Sequence, residues 1–288
     1  MTHAARPRVL YVTDLGYEAR GRRYCDEDIF LSTRLRAEFD IALCHPLDAA
    51  ALMDSFDLVV IRNSGPVLNY QAQYGEFRAH AVASGTPVHS QLTGRADMAG
   101  KQYLLDLTAA GLPVIPTVDR AADLGRLPDV PEYVVKPKLG ADSIGLRFVP
   151  RDELDALDLD GMGGLDGLDG LDGLLVQPRI HFRHEVSFYF VDHDFQYALR
   201  TRDGGERWDL ETYEPTAADL EFARRFIDWN DIAHGIQRVD ACRTPDGELL
   251  LVELEDLNPY LSLDLLAPEV REAFVSRMAR SLRDCLVA

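Results

Sequence analysis

Cysteine is scarce. Four residues, Cys25, Cys44, Cys242 and Cys285, are scattered through 288 positions and form no CxxC pair. A disulfide framework and a zinc site are therefore not expected, and free thiols, buried or half-buried, are. Long apolar runs are absent too, and the longest falls far short of the roughly 20 residues that cross a bilayer. Basic charge is in deficit: 30 Lys and Arg against 48 Asp and Glu leave a net charge of −18. Nucleic-acid backbones and anionic membranes need a basic footprint, so neither is an expected partner. A small anion held by a few cations inside a cleft stays compatible. The opening segment MTHAARPRVLYV lacks the apolar stretch of a secretory signal and runs straight into a strand, so the cytoplasm is the expected location. Two nucleotide signatures are missing as well. No GxGxxG follows the first strand, and Gly94 and Gly100 stand one residue too far apart for a P-loop, with Gln102 after Lys101.

Hydrophobic residues make up 47% of the chain and charged ones 27%, ordinary values for a globular protein large enough for two or three packed subdomains. The first ninety residues alternate strand and helix: RVLYVTD (8–14), DEDIFLSTRLRAEF (26–39), DLVVIRN (57–63), FRAHAVASG (77–85) and TPVHS (86–90). Short loops between such elements predict a parallel sheet covered on both faces, a Rossmann-like arrangement. DMAGKQYLLDLTAAGLPVIPT (97–117) follows, a helix with Leu104, Leu105 and Leu107 that ends at Gly111 and gives way to a strand. Lys101 in this segment is either a surface lysine or a ligand for a phosphate held in some geometry other than a P-loop.

PEYVVKPKLGADSIGLRFV (131–149) reads as a hairpin. Its first strand delivers Lys136 at the polar end, and its tip carries Gly140, Ala141, Ser143 and Gly145. Small residues let backbone N–H groups approach phosphate oxygens, and a lysine supplies a point charge. DALDLDGMGGLDGLDGLDGL (155–174) repeats GLD with a period of three, not the nine of calcium-binding solenoids, so a flexible acidic surface loop is expected. The pattern then turns antiparallel. HEVSFYFVD (184–192) and QYALRTR (196–202) form one hairpin, TAADLEFARRFIDWN (216–230) an amphipathic helix, GIQRVDACRTPDGELLLVELED (235–256) a second hairpin, and PEVREAFVSRMARSLRDCL (268–286) a closing helix.

The second hairpin poses the functional question. Leu249 to Val252 look like the middle of a buried strand, yet Glu253, Glu255, Asp256 and Asn258 follow within six positions. Carboxylates so placed need partners or a metal. Residues two apart on a strand share a face, so Glu253 and Glu255 point together, with Val252 and Leu254 facing the other way. A two- or four-residue turn at TPDG sets Thr244 across from Leu249, Asp240 across from Glu253 and Arg238 across from Glu255; a three-residue turn breaks that register. In the favoured register three carboxylates and one arginine converge. Oxygen ligands beside a phosphate site suit Mg2+ far better than zinc. The alternative is a solvated strand end with Arg238 paired to one glutamate, and the flanking apolar run argues against it.

Lys101 at the head of a helix, VVKPKLGADSIG, LLVQPRI and RVD…GELLLVELEDLNP occur here in the order of the ATP-grasp ligases, and residues 95 to 265 resemble that family. The resemblance implies α/β and α+β architecture: a Rossmann-like N-terminal domain (1–94), then a two-subdomain ATP-grasp fold, the small subdomain with hairpin and GLD loop (95–175) and the C-terminal subdomain with the metal-binding hairpin (176–288). It also implies ATP bound between the two subdomains. By position, Lys101 and Lys136 would contact its phosphates, with Lys138 beside them. Gly140, Ser143 and Gly145 would cover these phosphates, the hinge Gln177, Pro178, Arg179 and Ile180 would hold adenine through its backbone, and Glu185 would hold the ribose or a neighbouring group. Asp240, Glu253 and Glu255 would bind two Mg2+ ions. One departure stands out. The usual ending is Glu-x-Asn, whereas residues 253–255 read Glu-Leu-Glu, with Asn258 three positions on. Glu255 in the asparagine's place, as in a subgroup resembling the cycloserine-forming ligases, is the favoured reading; Asn258 is the weaker candidate.

The implied reaction is phosphorylation of a carboxylate by ATP to an acyl phosphate, then attack by an amine, giving an amide or peptide bond, ADP and phosphate. Arg238 and Arg200 are candidates to stabilise the acyl phosphate, Arg238 the better of the two because it lies on the carboxylate face; Arg202 reads as an ordinary salt bridge. The expected substrates are small amino acids or short peptides. Arg62 and Asn63, and the acidic run Asp26, Glu27, Asp28, read as helix caps and helix-start charges before substrate ligands. His181 and His184 receive no chemistry. A small-molecule kinase and a non-catalytic ATP-binding regulatory module are the rival readings, and a homodimer is compatible with all three.

Overall fold

The structure, a computed structural model, describes residues 5–19, 21–62, 67–96, 100–139, 145–156, 159, 173–205 and 209–288. In chain order the elements are β1 (Arg8–Thr13), β2 (Glu18–Ala19), β3 (Arg22–Arg23), α1 (Cys25–Leu35), β4 (Asp40–Cys44), α2 (Ala49–Leu52), β5 (Leu58–Arg62), α3 (Gln71–Ser84), β6 (Val88–His89) and α4 (Gln102–Ala109). Then come β7 (Glu132–Pro137), β8 (Arg147–Pro150), β9 (Leu174–Pro178), β10 (His184–Val191), β11 (Asp194–Thr201), β12 (Leu210–Tyr213), α5 (Ala217–Asn230), β13 (Ile236–Arg243), β14 (Leu249–Glu255) and α6 (Pro268–Cys285).

The β1, β4, β5 and β6 strands form a parallel sheet in the order β4-β1-β5-β6. Its strands are apolar on both faces, as a sheet covered on two sides requires. Leu10, Val12, Val59 and Ile61 pack against α2 and α3, through residues such as Ala49, Tyr74 and Phe77. Val9, Tyr11, Leu58 and Val60 pack with α1 and α6 and also with Tyr189, Val191, Tyr197 and Leu199 of a second sheet. That sheet is antiparallel, ordered β12-β11-β10-β13-β14. Its other face, with Val186, Phe188, Ala198, Val239, Ala241, Leu251 and Leu254, is covered by α4 and α5. Thr216 starts α5 in a reciprocal cap: its hydroxyl accepts from the Asp219 N–H and the Asp219 carboxylate accepts from the Thr216 N–H.

A three-stranded sheet, β8-β7-β9, has its own small core around Tyr133, Val135 and Val176. The expected strand at PVIPT is not a strand of either sheet. It is a connector that bridges to both, Val114 to Leu251 and Val118 to Val176. All four cysteines are free and buried. No helix among the described residues is long and apolar enough to cross a membrane.

Candidate active site

The β13–β14 hairpin reaches the expected pairing by an unexpected route. Gly247 N–H donates to the Thr244 carbonyl, Thr244 N–H to the Glu248 carbonyl, and Gly247 sits at φ 92°, so three residues make the turn. This conformation needs glycine. Near the turn Arg243 therefore faces Leu249 and Cys242 faces Leu250, one residue off the predicted register, and Thr244 does not face Leu249. A β-bulge between Asp240 and Ala241 on the β13 side then takes up one extra residue of β14, Val252. Beyond it Asp240 faces Glu253, Val239 faces Leu254 and Arg238 faces Glu255, as the sequence predicts.

Asp240, Glu253 and Glu255 each offer a carboxylate oxygen within 4.8 Å of the others. Two like charges about 4 Å apart repel by ~4 kcal/mol at an effective dielectric near 20, so three such groups require compensation. Two cations supply part of it. Arg238 donates from Nε to Asp240 Oδ1 at 3.0 Å and from Nη2 to Asp240 Oδ2 at 2.8 Å, and also contacts Glu255. Its remaining Nη1 donates to the Tyr260 carbonyl at 2.9 Å. Lys101 reaches Glu253 from the head of α4. The lysine is aimed by its own backbone, whose N–H donates to the Lys138 carbonyl at 2.8 Å, and by Gly100, at φ 82°, where a Cβ would stand 2.6 Å from Leu139 Cδ2.

The electrostatics divide the two glutamates. Burial works to raise the Glu253 carboxyl, but Lys101 and Lys136, with Arg238 behind them, hold it well below the usual carboxylate range. Burial raises Glu255, and Asp240 and Glu253 add to the rise against the pull of Arg238, so it lies well above that range. A site of this kind releases a proton when a divalent cation displaces it.

Other expected residues fall in several places. Lys136, on β7, lies near enough to act on Glu253, whereas Lys138 donates to Asp119 at 2.7 Å and Gln102 at 3.2 Å. Glu185 sits on β10 two residues from Ser187, whose pairing with Asp240 sets both on the carboxylate face. Gln177 is buried and donates to Thr117 Oγ1 at 2.8 Å. Pro178 has no N–H, and the Arg179 N–H is taken by the Glu132 carbonyl at 3.0 Å, while its side chain pairs with Glu132 and lies 4.5 Å from the Phe148 ring. That leaves the Ile180 N–H as the segment's donor. Asn258 is half-buried in the loop after β14, and Gly145 opens β8's approach at φ 75°. Gly140, Ser143, Asn63 and nearly all of the GLD tract lie outside the described residues.

Arg200 is not brought to the cluster. It faces Val186 on β10, on the side of the sheet that carries Ala198 into the α5 core, and it pairs with Glu211 at 2.7 Å. Alternation along β11 gives Leu199, not Arg200, the carboxylate face. Asp256 has a different task from its neighbours: fully buried, it accepts from Ala96 N–H at 3.2 Å and Asn230 Nδ2 at 3.1 Å. Ser187 is a site residue missed from sequence. Its hydroxyl donates to Asp240 Oδ1 at 2.6 Å, and period-two alternation from Glu185 is the signal that finds it.

The arrangement of the sheets matches the fold of solved ligases over nearly the whole chain. Over 97% of this chain and 99% of the other, the structure matches D-cycloserine synthetase DcsG with a TM-score of 0.73 at 22% identity. D-alanine–D-alanine ligase from Bacillus anthracis, solved in complex with ATP, matches over 98% and 97% of the two chains with a TM-score of 0.66 at 14% identity. The ATP-grasp ligase PsnB, solved with a phosphomimetic variant of its minimal precursor, Mg and ADP, matches over 98% and 99% with a TM-score of 0.59 at 15% identity. No protein-family model and no curated protein matches this sequence.

Proposed function

We propose that the protein is an ATP- and Mg2+-dependent carboxylate–amine ligase that joins small amino-acid-like substrates through an acyl phosphate, releasing ADP and phosphate. The observation that carries this reading is the meeting of Asp240, Glu253 and Glu255 with Arg238 and Lys101 on one sheet face. The donor set fits a hard divalent cation, since all three ligands are carboxylate oxygens with no sulfur or imidazole among them. Bound there, Mg2+ would neutralise charge on the ATP phosphates.

The chain's own residues would do the rest by position and charge. Lys101 and Lys136 hold phosphate oxygens. The Ile180 N–H and the Pro178 and Arg179 carbonyls offer hydrogen bonds to the base, and Glu185 lies on the face where a ribose would rest. An oxygen of the substrate carboxylate attacks the γ-phosphorus and ADP departs. The amine nitrogen then attacks the acyl carbon, phosphate leaves, and the nitrogen loses a proton. Arg238 is the residue best set to stabilise the acyl phosphate. We read residues 1–94 as a Rossmann-like unit that contributes to the substrate side, 95–175 and 176–288 as the two halves that enclose ATP. DcsG, as a cycloserine synthetase, and D-alanine–D-alanine ligase support small amino-acid derivatives as the substrate class.

The test is turnover of ATP and Mg2+ with pooled amino acids and dipeptides, reading nucleotides and new masses together, with Glu253→Gln as control. ADP, phosphate and a mass equal to the substrates less water support the ligase. A product one phosphate heavier supports a kinase instead.

A further inference from the structure

The strand that bears the site runs into Pro259–Leu263, and this segment is held by two buried ionisable residues, Arg62 of β5 and Glu27 of α1, with Asp28 of α1 behind Arg62. Arg62, at the end of β5, donates from Nη1 to the Pro259 carbonyl at 2.7 Å. Glu27, in the first turn of α1, accepts from the Leu261 N–H at 2.7 Å and the Leu263 N–H at 3.0 Å. Asp28 fixes Arg62 in turn, accepting from its Nε at 3.0 Å, and is itself held by Tyr11 and Thr13 hydroxyls at 3.0 and 2.6 Å. Arg62, Glu27 and Asp28 are 2%, 7% and 1% exposed. Between the two amides that Glu27 grips, Ser262 is kept at φ 51°, a left-handed backbone that a non-glycine residue holds only where its surroundings over-determine it.

We propose that Glu27 and Arg62 are positioning residues of the reacting centre: they fix the 259–263 segment, whose Tyr260 carbonyl sets the orientation of Arg238. This rests on the reading of Arg238 and the three carboxylates given above. The guanidinium has three anchors. Nε and Nη2 lie against Asp240 and Glu255, which a cation would draw on; Nη1 is tied to the Tyr260 carbonyl, which a cation would not. The carbonyl keeps Arg238 in place when its carboxylates are shared, and the carbonyl is only as fixed as the residues on either side of it. Pro259 and Leu261 are those residues, and both are bound to the buried charges. The two sheets already share an apolar core, so packing alone does not account for burying an arginine and two carboxylates. What the charges add is direction.

The test uses the full chain and Mn2+ as a paramagnetic probe, titrated by EPR. Glu27→Gln presents a donor to one of two N–H groups that need an acceptor; Arg62→Lys, kept in reserve should that variant not fold, loses the planar fork that serves Pro259 and Asp28 together. Arg34→Ala, which removes a surface pair with Glu272 at 3.3 Å, is the control for losing an ordinary contact between α1 and α6. Either positioning variant is expected to weaken Mn2+ binding about 10-fold, the scale of loss when groups that orient a metal's ligands are removed. Amide exchange across 259–263 is expected to quicken, and Arg34→Ala to match wild type in both. A loss of stability in the positioning variants with wild-type Mn2+ affinity, while Glu253→Gln loses it, overturns this inference alone. No Mn2+ binding by the wild type, or the same binding by Glu253→Gln, overturns the reading of the site beneath it.

Discussion

Replacing Arg238 by methionine separates what the arginine does for the fold from what it does for the chemistry. Its side chain is 11% exposed and contacts two carboxylates and a carbonyl, and its guanidinium carbon lies 5.9 Å from the Tyr189 ring. Methionine keeps much of the packing volume beside Tyr189 and removes only the charge and the fork. Breaking a buried charge network by deleting one partner costs roughly 3–5 kcal/mol, because the other charges are left uncompensated. The orphaned groups here are Asp240 and Glu255, with Glu253 still paired to Lys101. We expect Arg238→Met to lose ~3 kcal/mol in urea unfolding with EDTA present. Mg2+ should then restore part of the loss, since a cation between the carboxylates supplies the missing charge. A ligand at 100 times its dissociation constant adds about 2.7 kcal/mol to folding stability. The wild type gains likewise, so the gap narrows only by the variant's tighter binding. A cation that no longer competes with Arg238 for Asp240 and Glu255 and binds about tenfold more tightly closes it by about 1.4 kcal/mol at saturating MgCl2. NaCl of equal ionic strength should not narrow it. Equal stability of the two proteins in EDTA would refute the buried-charge argument. A gap indifferent to Mg2+ would refute the competition between Arg238 and a cation for Asp240 and Glu255.

Four further outcomes follow from the same geometry. Asp256→Ala takes the acceptor from the Ala96 N–H and from one of the two N–H groups of the Asn230 amide, whose other bond goes to Gln237, each a buried donor costing ~1–3 kcal/mol, and should lower the urea midpoint while the folded protein keeps its Mg2+ affinity. Arg200→Met removes only the contacts to Glu211 and Asp203, so ATP turnover should stay at the wild-type level. Mg2+ affinity should rise as pH is raised from about 6 to 8, because burial and the Asp240 and Glu253 charges make Glu255 keep a proton that the cation must displace; calorimetry in buffers of different ionisation enthalpy reads that proton. Glu27 is raised by burial from 4.5 to about 7 against Arg62 and the Leu261 and Leu263 amides. Its folded form favours the proton, so its contribution to stability is present at low pH and declines as pH rises through about 7, which urea midpoints between pH 5 and 8 will show.

What was legible in the sequence was what short-range periodicity encodes. Strand and helix alternation gave the parallel sheet, and the antiparallel half followed from its turn chemistry. What was not legible was contact across long separations. Glu27 and Leu261 stand 234 residues apart, and nothing local distinguishes a glutamate that grips a distant backbone from one that merely charges a helix start. Glu27 and Asp28 read as charges at the start of a helix, and the structure buries both. Asp256 illustrates the converse. It sits in an acidic run beside the site, yet its parity turns it towards Ala96 and Asn230. Arg200 was within reach of a better argument, since alternation from the apolar Leu199 assigns it to the far face.

The bulge at Val252 explains why the site strand escapes a contradiction in its own sequence. Leu249, Leu251, Glu253 and Glu255 are all odd-numbered, so an unbroken strand would send the two glutamates into the same core as the two leucines. The core in fact takes Leu249, Leu251 and Leu254. One inserted residue changes the parity between Leu251 and Leu254, and every side chain beyond it changes face. The three-residue turn at Gly247 shifts the register by one, and the bulge shifts it back, so Asp240 still meets Glu253. A pairing argument that counts from a two-residue turn arrives at the same partners because the two displacements cancel. The bulge has its own reason to exist. It is the device by which one strand supplies leucines to the α5 side and carboxylates to the other, and the register of the carboxylate set depends on it.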